Sequence, residues 1–154
     1  MPNTILDAFV EAAQEVLSAE AALAVSRGPL QTCGHPYITD DITVLLNLVG
    51  NVTGTVLYSL SEKTALELIG RLMGEPVRAF DSLAQSGIAE LGNVITGLAA
   101  SKLARIGYDV TISPPTLLMG RGTALSTLDL PRLFVPLYGE EGQVGLHLAL
   151  ATRL

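Results

Sequence analysis

The sequence predicts an α+β fold in which helices pack on a mostly antiparallel sheet. Three observations carry that expectation. A helical apolar period opens the chain, and a longer one occupies its middle. Two apolar, strand-like stretches, residues 42–60 and 133–151, each read as a β-hairpin about a Gly-containing turn. The order helix, hairpin, helix, long helix, hairpin suggests a pseudo-two-fold repeat of a helix followed by antiparallel strands.

Composition narrows the classes. A length of 154 residues suits one domain over 1–154, or one built of two similar halves. The chain is 49% hydrophobic and 16% charged, too apolar for disorder, yet it has no apolar run that would insert into a membrane. The single cysteine, Cys33, excludes a disulfide framework and Cys-rich metal sites. Nine basic against fifteen acidic residues give a net charge of −6 without a Lys/Arg cluster, which argues against nucleic acid and against an anionic membrane surface. Met1-Pro2-Asn3-Thr4 lacks the basic and apolar regions of a signal peptide, so a cytoplasmic location is expected. Asn51-Val52-Thr53 then reads as a turn rather than a glycosylation acceptor.

The elements follow in order. Leu6, Phe9, Val10, Ala13, Val16 and Leu17 share one helix face, opposite Asp7, Glu11, Gln14 and Glu15. Ala21–Val25 is either the helix end or a first strand, and Gly28, Pro29, Gly34 and Pro36 make residues 27–37 loop-like. Ile42–Val49 and Thr55–Leu60 form the first hairpin around Gly50-Asn51-Val52-Thr53-Gly54. Ser61 offers an N-cap to a helix whose face is Leu66, Ile69, Leu72 and Met73, closed by Gly74 and Pro76. Ser82 with Gln85 fits a capping box for the long helix, which runs to about Ile106 and stops at Gly107. Strand-like pieces follow at Val110–Ile112, Thr116–Met119, Thr123–Leu128, Leu133–Tyr138 and Val144–Ala151, and the last two form the second hairpin about Gly139-Glu140-Glu141-Gly142.

The long helix carries the sharp signal. At about 100° per residue, Ile88, Leu91, Val94, Ile95, Leu98, Leu103 and Ile106 gather on a core arc. Ser86, Glu90, Asn93, Gly97, Ala100, Ser101 and Ala104 gather opposite. Solvated helix faces are usually filled with Lys, Glu, Arg and Gln, but here Glu90 is the only large or charged member. Gly87, Gly92 and Gly97 each cost roughly 1 kcal/mol of propensity relative to Ala. Close packing accounts for Gly92 on the core side, whereas Gly97, on the polar stripe, implies close approach by something outside. Glu90 and Asn93, three apart, stand one turn from each other on the same face. The glutamate can pair with a lysine, and the carboxamide can orient a water.

Ser86-x3-Glu90-x2-Asn93, followed after twenty residues by Pro114-Pro115-Thr116, resembles the signature of the CheC/CheX/FliY phosphatases of bacterial chemotaxis. Gly54-Thr55-Val56-Leu57-Tyr58-Ser59, Thr64-Ala65-Leu66 and Met73-Gly74 are similar to that family too, so the likeness runs from about residue 40 to the C-terminus. The resemblance implies a CheC/CheX-like fold. It also implies an enzyme that hydrolyses the aspartyl phosphate of a CheY-like response regulator. Glu90 would pair with the regulator's lysine, Asn93 would orient the attacking water, and Ser86, Gly97 and Ala100 would form the docking surface. Mg²⁺ would come with the regulator, with no cofactor on this chain. CheC-like members carry two Glu-x-x-Asn helices. Here Gln14 stands where an asparagine would follow Glu11, which leaves one site as in the CheX branch, with a weak second site as the variant reading. A homodimer formed through the sheets is implied in the same way. The competing class is a non-catalytic regulator-binding or dimerisation module of the same fold.

The remaining polar residues read as structural. Cys33 and His35 lie two apart in a Gly/Pro-rich loop without further ligands in sight. His147 is expected to be a half-exposed strand residue facing away from Leu146 and Leu148, Asp40-Asp41 a solvated strand entry, and Gly120-Arg121-Gly122 a tight turn.

Overall fold

The computed structural model describes residues 3–140 and 142–153. Met1-Pro2 of the N-terminal stretch and Glu141 of the second predicted turn lie outside the described residues.

Helix α1 spans Asn3–Ala21 and buries the expected face, Leu6, Phe9, Val10, Ala13, Val16 and Leu17, together with Ile5, Ala8 and Ala12 beside it. Ala21–Val25 is therefore helix end and connection. Three short strands follow where a loop was expected: β1 (Ser26–Arg27), β2 (Gln31–Cys33) and β3 (Tyr37–Ile38). The hairpin is β4 (Ile42–Gly50) and β5 (Val52–Leu60). Its turn is tighter than expected, because Gly54 is not in it. Gly54 pairs with Leu48 on one side and Leu150 on the other, at φ +144°, and a side chain there would collide with the Ala149 carbonyl. Close approach of a neighbouring strand, not a turn, requires that glycine.

Ser61 caps α2 (Glu62–Met73) by accepting from the Thr64 amide, and Gly74 ends it in the left-handed region, as expected. Helix α3 spans Ser82–Arg105. Its cap is Asp81 rather than Ser82: the carboxylate accepts from the Ala84 amide at 3.0 Å. Gln85 turns back to donate to the Phe80 carbonyl at 3.0 Å, so the predicted Ser82–Gln85 box does not form.

After α3 come β6 (Val110–Ile112), β7 (Thr116–Met119), β8 (Ala124–Leu125), β9 (Arg132–Gly139) and β10 (Gly142–Thr152). Strands β6 and β7 are one edge strand interrupted. Both pair with β4, and Ser113-Pro114-Pro115 oppose only Leu46 and Asn47. Proline has no amide to give the ladder, so the extra residue bulges there. The predicted strand Thr123–Leu128 shrinks to β8, which pairs with β3 apart from the main sheet.

The main sheet has eight strands, in the order β1-β9-β10-β5-β4-β6, with β2 also on β9 and β7 also on β4. Every pairing is antiparallel among the described residues. The two hairpins meet at its centre through β5 and β10. That arrangement, with α1 before the first hairpin and α3 before the second, is the expected pseudo-repeat.

One sheet face carries Val44, Leu46, Val56, Tyr58, Leu146 and Leu148 and is covered by the three helices, which share its apolar core. Lys102 of α3 bridges to Glu15 of α1 at 3.0 Å. Part of the opposite face is buried too, around β3, where Tyr37, Thr43, Ser59, Arg132 and His147 are each less than a tenth exposed beside the apolar Leu57 and Ala149, while Asn47 and Val49 are exposed. His147 is thus not half-exposed, as its position on a strand suggested. It is 4% exposed, packed against Tyr37 with ring centroids 4.6 Å apart and the planes tilted by 56°.

Candidate functional site

Helix α3 meets the sheet on a slightly different arc from the one its large apolar residues mark. Ala84, Ile88, Leu91, Gly92, Ile95, Thr96, Ala99 and Leu103 are buried. Val94 and Ile106, expected inside, are 39% and 51% exposed, and Leu98 is half-buried. Ile106 is the C-cap, past the last helical residue, and small size explains the rotation that exposes Val94. A Cβ on Gly92 would lie 2.8 Å from Val44 Cγ1 and 3.4 Å from the Tyr58 ring, so its absence lets the helix backbone settle against β4 and β5. Gly87 does the same toward Ile69 of α2.

The outward stripe survives this rotation intact. Ser86, Glu90, Ser101 and Ala104 are exposed, and Asn93, Gly97 and Ala100 half-buried. Gly97 is unlike the other two glycines, because a Cβ there would meet nothing within 4 Å. The side chains of Glu90 and Asn93 have no hydrogen-bond or ion-pair partner among the described residues. Such a face is flat, with small residues, one carboxylate and one carboxamide, and the exposed Leu83 and Val94 stand along its edge. Among the described residues its hydroxyls, Ser86 and Ser101, are hydrogen-bonded to no base that would activate them, so the face is suited to bind and orient rather than to attack.

The corresponding face of α1 is different. Gln14 donates to the Val25 carbonyl at 3.3 Å, Asp7 holds Arg27 at 3.4 Å and Glu15 holds Lys102. Its carboxamide is spent on holding the chain that leaves the helix.

The other candidates are structural. Arg121 bridges Asp40 and Asp41 at 3.2 and 3.0 Å, and Asp41 accepts from the Glu62 amide at the start of α2. Gly120 and Gly122 have φ of +122° and +88°, which makes 120–122 the expected tight turn. Asn51 donates to the Arg153 carbonyl and accepts from the Asp109 amide, a turn role. Cys33 is a free thiol and His35 is exposed. Among the described residues no group of three or more His, Cys, Asp and Glu could hold a metal ion. No helix is long and apolar enough to cross a membrane among those residues.

Sequence reasoning missed two buried polar groups. One resembles a hydrolytic dyad: Ser59 Oγ lies 2.9 Å from His147 Nε2. Yet Arg132 Nη1 stands 2.7 Å from Nδ1, and a guanidinium only donates. Nδ1 must accept, so the ring proton sits on Nε2 and points at the serine. Burial first, and the Arg132 charge second, pull the imidazole pKa down to about 3. With Nε2 already protonated, the ring cannot take the serine's proton. The second group is Tyr58 Oη, 2.8 Å from Thr96 Oγ1 and behind the stripe. Nothing in the sequence pairs Thr96 with Tyr58.

This fold and site define a small α+β protein with one small-residue helix face left exposed. The fold matches solved CheC-like proteins over nearly the full chain. A CheC-like superfamily protein from Shewanella sp. PV-4 superposes with TM-score 0.89 at 20% identity, covering 98% of this chain and 99% of that one. The protein in a CheX–CheY–BeF3–Mg²⁺ complex from Borrelia burgdorferi superposes with TM-score 0.79 at 24% identity, covering 94% and 96%. In sequence, the CheY-P phosphatase CheX of Thermotoga maritima is 30% identical over 154 residues, 99% of each chain. The family model for chemotaxis phosphatase CheX matches residues 42–137. The chain belongs to the CheX family of chemotaxis phosphatases, and it is a phosphatase.

Proposed function

We propose that the chain, working as one domain, hydrolyses the aspartyl phosphate of a CheY-like receiver, with Glu90 and Asn93 as its working residues. The observation that carries this reading is the pair of uncommitted side chains on the small-residue stripe of α3. The Thermotoga relative is named for action on CheY-P, and the Borrelia complex joins a relative of this fold to CheY with Mg²⁺.

The chemistry suits the residues. An acyl phosphate has a good leaving group, so neither a covalent nucleophile nor a strong base is required. The water oxygen attacks phosphorus as the P–O bond to the aspartate breaks. The carboxylate leaves with the bond's electrons, and inorganic phosphate takes the hydroxide and sheds the spare proton to solvent. Positioning that water in line is the missing contribution, and a carboxamide supplies it much as a glutamine does in GTPases. Glu90 pairs with the receiver's lysine and so sets where Asn93 reaches. Ser86, Gly97 and Ala100 form the floor on which the receiver surface rests. Mg²⁺ travels with the receiver and neutralises the phosphoryl oxygens there. A cytoplasmic location follows from a cytoplasmic receiver. A homodimer formed through the sheet belongs to the same reading, and light scattering of the purified chain tests it.

The deciding experiment is single-turnover decay of a phosphorylated CheY-like receiver with Mg²⁺, with the parent and with Asn93→Ala. Acceleration by the parent alone supports the reading. Equal acceleration by both removes Asn93 from the mechanism. Binding without acceleration by either would make the chain a docking module.

A further inference from the structure

Thr96 is the one polar residue that α3 buries completely, and its environment is specific. Its hydroxyl donates to the Gly92 carbonyl one turn back, at 2.8 Å. That proton being used, Thr96 Oγ1 must accept from Tyr58, whose hydroxyl is 2.8 Å away on β5. Burial pushes the Tyr58 pKa upward, so the phenol remains a donor throughout the neutral range. Gly92 receives this relay and has no Cβ. Its Cα settles against Val44 and the Tyr58 ring, and its carbonyl belongs to the peptide bond that begins Asn93.

The rest of the contact between α3 and the core is apolar: Ile88, Leu91, Ile95, Ala99 and Leu103. Apolar burial is non-directional, so it holds the helix down without fixing its rotation closely. A hydrogen bond tolerates far less movement. Side chains reach about 5–6 Å from a helix axis, so a rotation of about 10° moves a side-chain tip by roughly 1 Å. A misplacement of that size is enough to cost about 100-fold in a reaction that depends on positioning.

We propose that Tyr58 and Thr96 are positioning residues of the phosphatase site. Their hydrogen bond, relayed to the Gly92 carbonyl, sets the rotation of α3 on the sheet and thereby the point the Asn93 carboxamide reaches. The proposal rests on the role given to Asn93 above. It adds that the site is registered from behind, by a buried pair that never touches the receiver.

The test is single-turnover dephosphorylation of a phospho-receiver with Mg²⁺ across a concentration series of the full chain. This gives a saturating rate constant and a half-saturation concentration separately. Thr96→Val removes the hydroxyl at constant volume, Tyr58→Phe removes the donor, and Thr96→Ser keeps the relay. Urea unfolding of each variant shows that it is folded under the assay conditions. The expected result is a saturating rate reduced about 10- to 100-fold in Thr96→Val and Tyr58→Phe, the upper value for a full 1 Å misplacement, with half-saturation unchanged and Thr96→Ser close to the parent. Folded valine and phenylalanine variants with the parent's rate would overturn the proposal. So would a serine variant as slow as the valine one, or a loss confined to half-saturation. If Tyr58→Phe does not fold, the valine and serine pair decides alone. A parent that is inactive overturns both readings, whereas an active parent with inactive Asn93→Ala and an unaffected Thr96→Val overturns this one only.

Discussion

Gly97→Ala separates the two pressures on α3 because it moves stability and docking in opposite directions. In the isolated chain the new methyl meets nothing within 4 Å, so no steric cost offsets the gain in helix propensity. That gain is about 1 kcal/mol for an exposed helix interior. In a chain of this size it raises Tm by about 2–4 °C. If the receiver surface comes to rest on this glycine, the same methyl stands inside the interface. Overpacking a well-fitted contact costs about 1–3 kcal/mol, which is roughly a 5- to 150-fold rise in half-saturation. Thermal unfolding and the concentration dependence of receiver dephosphorylation measure the two sides. A variant that is more stable and docks as well as the parent would refute the close-approach argument. One that is not stabilised would refute the statement that Gly97 is spared contact by the rest of its own chain.

Three further outcomes are expected. Glu90→Ala raises half-saturation about tenfold, the loss of one charge-assisted hydrogen bond, with a smaller change in saturating rate; unchanged half-saturation removes Glu90 from docking. Asn93→Ala drops the saturating rate to the receiver's own decay while its urea midpoint stays near the parent's, and a large shift in that midpoint would mean the residue is structural. Acid stability depends on His147: an unfolded histidine gains its proton near pH 6.5, whereas the folded ring does so only near pH 3. Above pH 6.5 the two states bind alike. Below it the unfolded state is favoured, so stability falls with falling pH at up to about 1.4 kcal/mol per unit. Urea midpoints between pH 7 and pH 4 should decline less steeply in His147→Gln than in the parent, and parallel curves would contradict the assignment.

The sequence made the helices and both hairpins legible because each buries one face, and one buried face leaves a periodic signal. The limits of α3 were legible to one residue. Asp81 and Ser82 are adjacent and both cap well, so composition cannot choose between them. The short strands β1, β2, β3 and β8 left no such signal. They are two or three residues long, lie in Gly/Pro-rich segments, and exist because β9 or one another offer a ladder. Gly54 was read as turn because composition does not distinguish a turn glycine from one beneath a crossing backbone. The burial of His147 depends on Tyr37, 110 positions earlier, so no local pattern could show it. At the site, the Glu90–Asn93 stripe was legible as an anomaly, too small and too glycine-rich for a solvated face. The rotation that exposes Val94 was not, since it comes from small residues settling on a sheet surface assembled from β4 and β5.

The two halves of the pseudo-repeat present the same kind of helix to solvent, each with an exposed glutamate, Glu11 on α1 and Glu90 on α3, yet among the described residues the carboxamide three positions on is free only on α3. A glutamine is one methylene longer than an asparagine, and Gln14 uses that length to reach back to Val25, where the chain leaves α1. A carboxamide held by its own backbone cannot also hold a water in a partner's site without first breaking that contact. On α3 the asparagine is too short to find such a partner, and its backbone needs none, since Thr96 and Tyr58 anchor the helix from the other side. Gln14→Ala should therefore leave the saturating rate and half-saturation as they are and lower stability by about 1 kcal/mol, the worth of one hydrogen bond. A loss of turnover in Gln14→Ala, or residual turnover in Asn93→Ala that vanishes in the double variant, would show that α1 carries a second site after all.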